Sequence, residues 1–117
     1  EAQEVIKELS LKNRQLRNSQ IIFNIKVVNA IVSFYLAETI DEKSEKGIKH
    51  LEQMLKQEDD EERIAELNKE LWKMKREFSK KEAESYRIAA YELYQKLYQK
   101  IPKFQTKLII EELEQNS

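Results

Sequence analysis

A single glycine, Gly47, and a single proline, Pro102, are the only strong helix breakers in 117 residues. Inside a helix, glycine costs about 1 kcal/mol and proline about 3 kcal/mol relative to alanine. A chain that nearly lacks both is free to run in long helices. The remaining positions point the same way, because charged residues make up 37% of the chain against a usual share of about 25%. The rest is rich in Leu, Ile and Gln, and hydrophobic residues reach 40%, enough to drive folding rather than disorder. The predicted class is all-α: an elongated antiparallel helical bundle or coiled coil with two long helices, one short helix and a short C-terminal helix. Residues 1–117 are expected to form one helical-bundle domain. The chain opens on Glu1 rather than Met, so a fragment or processed form of a longer protein is expected, with no signal peptide.

The first helix is predicted from Ala2 to about Thr39. Its seam reads Ile6, Leu9, Asn13, Leu16, Gln20, Phe23, Val27, Ala30, Phe34 and Ala37, alternating steps of three and four as a coiled-coil seam does. A second stripe adds Ile22, Ile25, Val28, Ile31, Val32, Tyr35 and Leu36. Two adjacent stripes predict that this half is contacted from more than one side, with the N-terminal third as a thinner amphipathic extension. Residues 21–37 fall short of the ~20 residues that cross a membrane and include Asn24, Lys26, Asn29 and Ser33. A buried helix is therefore expected, and no membrane contact is indicated within this segment.

The pattern stops around residues 40–46, where Asp41 and Ser44 are candidate N-caps. A short helix to about Gln57 follows, with Gly47 permitting close helix approach. Asp59 and Glu62 fit a capping box at the head of a third helix, predicted to be the longest, from about Asp60 to Lys100. Its seam of Ile64, Leu67, Leu71, Met74 and Phe78 resumes one residue out of phase at Tyr86, Ala90, Leu93 and Leu97, a local phase shift. Pro102 predicts a break. A last helix is expected to turn Phe104, Leu108, Ile109 and Leu113 inward, and its tail, residues 114–117, to fray.

Chemistry-bearing motifs are sparse. There is no Cys, which removes thiolate metal sites and a thiol nucleophile. His50 is the sole histidine, and the position three before it, where a bundle metal site would carry Glu, holds Gly47. No glycine-rich phosphate or oxyanion loop exists. The acidic run 58–62 lacks the alternating ligands of a calcium loop. No catalytic, cofactor-binding or metal residue is assigned, and the chain is not expected to be an enzyme. With Lys+Arg 21 against Asp+Glu 22, nucleic-acid binding is disfavoured. The locally basic Lys73, Lys75, Arg76, Lys80 and Lys81 are interleaved with acids, as a solvated face is.

What remains is association. The short helix cannot cover either long one end to end, so apolar length is left over for a partner. The expected function is a helical protein–protein interaction module: a scaffold, adaptor or dimerisation domain. The alternative is the helical-bundle sensory or ligand-binding domain of a membrane receptor. Partners are a protein or a second copy, with a dimer favoured. Candidate interface residues are Trp72, Tyr91, Tyr94 and Tyr98, since Tyr and Trp anchor interfaces, and then Ile6, Leu9 and Leu16 on the N-terminal seam. A cytoplasmic location is favoured.

Overall fold

The computed structural model describes residues 2–115, which form helices and short connections with no strand among them. Helix α1 (Ala2–Leu36) is continuous for 35 residues, as its lack of Gly and Pro allows. It stops where Lys43 Nζ donates to the Phe34 carbonyl at 2.7 Å. Thr39 then takes extended backbone and its hydroxyl accepts from the Glu42 N–H, starting α2 (Ile40–Lys43). Thr39, not Asp41 or Ser44, is thus the cap. A π-helical turn (Ser44–Ile48) joins α2 directly to α3 (Lys49–Gln57). The Asp60 carboxylate accepts from Glu62 and Arg63 N–H at 2.9 and 3.1 Å and opens α4 (Glu61–Lys75), one residue later than the predicted capping box.

The fold class is all-α as predicted, with one difference inside the third helix. Residues 60–100 do not form a single rod: α4 ends at Lys75, and α5 (Lys80–Lys100) starts after a reversal. The cause is local. The Ser79 hydroxyl accepts from the Glu82 N–H at 3.2 Å, a Ser-x-x-Glu helix start that lies inside the Phe78-to-Tyr86 phase shift. The out-of-phase seam is therefore two seams on two helices. They pack antiparallel, and Lys96 at the far end of α5 reaches Glu61 at the head of α4 at 2.7 Å. Ile101 has extended backbone before Pro102, and α6 (Phe104–Gln115) folds back on α5, at the predicted break.

Two apolar cores result. One joins Phe23, Val27, Ala30 and Phe34 of α1 to Ile48, Leu51, Leu67, Leu71 and Met74. The other gathers Ala65, Trp72, Ala83, Ala90, Tyr94 and Leu113, with Leu93 and Leu97 at its margin. Helix α4 supplies both, from two of its faces, and Tyr86 packs against both. The reversal explains why Leu93 and Leu97 join the second core and not that of Phe34. In α6, Leu113 is buried and Ile109 half-buried, while Phe104 and Leu108 are exposed, because α6 packs chiefly on α5 and turns one edge to the second core.

Gly47 sits where the π turn crosses α1. A Cβ there would lie 2.7 Å from the Phe34 Cβ and 3.3 Å from the Ala30 carbonyl oxygen, so the glycine permits the close approach its position suggested. The molecule spans 58 × 32 × 21 Å with a radius of gyration of 16.8 Å, against about 13 Å for a compact chain of this length.

Candidate interaction surface

Helix α1 joins the bundle by its C-terminal half only. Residues 2–22 are exposed throughout, and burial starts at Phe23. The junction is clamped by Arg63 of α4, which donates from Nε to Gln20 Oε1 at 3.0 Å and from Nη1 to Ser19 Oγ at 3.1 Å. Its guanidinium also stacks 5.3 Å from the Phe23 ring. Beyond that clamp, the face that carries the core stripe continues with Leu16, Leu9 and Ile6, all exposed. These three candidate residues form an apolar strip without intrachain cover.

The second stripe of α1 is not buried as the sequence suggested. Only Ile31 of that set packs against the core, while Ile22, Ile25, Val28, Val32, Tyr35 and Leu36 are exposed. The reason is that α2, α3 and α4 all approach α1 from one side. On the far side, Ile21, Ile25, Val28, Val32 and Tyr35 follow one another in steps of four, three, four and three, which is itself a seam spacing. Each is between 47% and 55% exposed. By length and composition α1 could also cross a membrane, with 22% of the qualifying window buried in the fold. The core helix of a soluble protein passes the same test.

The aromatic candidates separate. Trp72 and Tyr94 lie in the second core, Trp72 under the Arg76 guanidinium at 4.4 Å. Burial, and then the nearby Glu66, push the Tyr94 phenol well above its ordinary range. These two are enclosed by α4–α5–α6 packing and do not present a strip. Tyr91 is half-buried, with its hydroxyl donating to Glu114 at 2.7 Å and accepting from Gln95 at 2.7 Å. Its phenol is raised first by that Glu114 hydrogen bond. Tyr98 lines an open groove with Gln95, Lys107, Ile110 and Glu111. The four therefore do not form one surface: two hold the fold together and two flank the α5–α6 groove.

Charged groups are largely engaged within the fold. Lys73 lies 3.7 Å from Glu112, and Lys75 sits over the Tyr86 ring. Arg87 pairs with Glu84 and donates to the Leu113 carbonyl at 3.1 Å, pinning α6. The basic stretch of α4 is thus partly spent on ion pairs and ring stacking. His50 is exposed on α3, and no group of three or more metal-ligating side chains is gathered among the described residues. The uncovered far side of α1 is the feature that sequence reasoning missed. Its four-three spacing was visible, but nothing in the sequence distinguished a seam facing the interior from one facing out. No protein-family model, curated protein or solved structure matches this chain.

Proposed function

We propose that this chain is a non-enzymatic helical interaction module, a scaffold, adaptor or dimerisation element, in which the bundle α2–α6 holds α1 as the binding element. The observation that carries this reading is the apolar length of α1 left uncovered on two sides, the strip Ile6–Leu9–Leu16 and the far-side seam from Ile21 to Tyr35. Contiguous exposed apolar surface on this scale marks interaction sites, and the helix-in-groove mode reads such a stripe.

The test is site-specific photocrosslinking in the cell of origin. A photoreactive side chain at Leu9 or Val28 should yield protein adducts, and one at exposed Lys96 on α5 should not. Adducts to lipid alone, or equal labelling from all three positions, would refute the reading. A second reading, the bundle of a membrane receptor's sensory domain, is favoured by one observation, the length and apolarity of α1. Lipid adducts from Val28 would support it.

A further inference from the structure

We propose that the occupant of the far-side seam of α1 is the same seam of a second copy of this chain, paired antiparallel about a two-fold axis between Lys26 and Val27. This deepens the reading of α1 as the binding element and rests on it. Three observations carry it.

The first is geometry. At 100° per residue, Ile21, Ile25, Val28, Val32 and Tyr35 centre about 150° from the core stripe. The core contacts of α1 all lie on the opposite side, and only Lys43 of α2 reaches the seam, over the Tyr35 ring at its C-terminal end, so a second α1 can lie along Ile21 to Val32 with the two bundles outside the pair. Antiparallel pairing with alternating layers sets Ile21 against the partner's Val32 and Ile25 against the partner's Val28, twice each by symmetry. Asn18 falls opposite the partner's Tyr35 at both ends, where a hydroxyl and an amide can bond.

The second is area. The chain exposes 8544 Å², whereas a compact monomer of this size exposes about 6,700 Å². The excess is roughly 1,800 Å² per chain and is shared between the N-terminal extension, residues 2–22, and the far side of α1; a standard stable interface takes ~800 Å² from each partner.

The third is charge, and it selects the direction. From Leu9 to Ala37 there is no acidic residue, while Lys12, Arg14 and Arg17 precede the seam and Glu38, Asp41 and Glu42 follow it. Antiparallel pairing brings the basic end of each helix to the acidic end of the other, with Arg17 beside the partner's Glu38. Parallel pairing would stack like charge on like.

The experiment has three arms. The first is sedimentation equilibrium across a concentration series, where twice the chain mass is expected. Val28→Glu lies on an exposed position, so it should keep the helical signal and melting behaviour of the monomer while weakening the dimer at least about 100-fold, because burying two carboxylates in an apolar seam is strongly unfavourable. The second arm uses the absence of cysteine. Ile21→Cys mixed with Val32→Cys should form the mixed disulfide. Neither variant alone should, since identical positions stand about 16 Å apart along an antiparallel pair, too far for a bridge. In the third arm, Arg17→Glu should weaken the dimer two- to ten-fold, and Arg17→Glu with Glu38→Arg should restore it.

A wild-type chain of single mass throughout would overturn the proposal, as would a dimer indifferent to Val28→Glu or a disulfide joining position 21 to itself. Binding to lipid vesicles by a monomeric chain, lost in Val28→Glu, would assign the seam to a membrane instead. If photocrosslinking from Val28 captures a different protein while the chain sediments as a monomer, the self-pairing fails and the interaction module stands.

Discussion

Replacing Gly47 by Ala pits two effects of known sign against each other, and the structure decides which wins. On helix propensity alone, Gly→Ala stabilises by about 1 kcal/mol. Here the new Cβ would lie 2.7 Å from the Phe34 Cβ, when carbon atoms rest at about 3.5–4.0 Å. Both atoms are fixed to backbone, so no side-chain rotation relieves the contact; the π turn and α1 must move apart by about 1 Å. Phe34 is fully buried, with Leu51, Leu67 and Leu71 around it, and overpacking of this kind costs about 1–3 kcal/mol. The net expectation is a loss of up to about 2 kcal/mol. At roughly 4 °C per kcal/mol for a chain of this length, Tm should fall by up to about 8 °C. Thermal and urea melts followed by circular dichroism at 222 nm read this directly, at a concentration where the oligomeric state is held constant. A rise in Tm of about 4 °C would show that propensity acts unopposed and that the π turn does not seat against α1 as described.

Two further outcomes complete the set. Phe34→Ala should cost about 3–5 kcal/mol, whereas Lys49→Ala, which removes only an exposed pair with Glu45 at 2.8 Å, should stay within about 0.5 kcal/mol of the parent; equal losses in urea melts would refute the core assignment. Burial, and then the hydrogen bond to Glu52, push the Tyr86 phenol up to about 12. A folded value above the unfolded one of about 10 means that its contribution is complete below pH 10 and is lost as pH rises from 10 through 12. Urea midpoints should therefore fall more steeply over that window for the parent than for Tyr86→Phe, and parallel profiles would count against the Tyr86–Glu52 contact.

The helices and the inner seam of α1 were legible because local chemistry dictates them. Phe23, Val27, Ala30 and Phe34 repeat at helical spacing, and each is buried. Pro102 stops α5 because it cannot donate and restricts the residue before it. The reversal at Ser79 was half legible. Its phase shift was visible at Phe78 and Tyr86, but without Gly or Pro the turn rests on a serine cap and on α4–α5 packing, and periodicity reports only the first kind of signal. The fate of the second stripe and of the aromatics could not be read locally at all. Whether Val28 faces out or Trp72 faces in depends on which sides of α1 and α4 the chain returns to cover, and that follows from the reversal.

The position of α4 has a consequence for how the molecule comes apart. It is the helix that buries two faces, giving Leu67, Leu71 and Met74 to one core and Ala65 and Trp72 to the other. Helices α1 to α3 shield one of those faces and α5 with α6 the other, with Tyr86 of α5 reaching both cores. Detaching α1–α3 strips one side of α4, and opening the α5–α6 hairpin strips the other. Either event leaves the same helix half wetted and weakens its hold on what remains. The two cores should therefore melt as one cooperative unit, with the central amides of α4 expected to exchange with solvent last. Ala2 to Asn18 of α1, beyond both cores and the Arg63 clamp on Ser19 and Gln20, adds no buried residue to that unit and can change partners without the bundle opening.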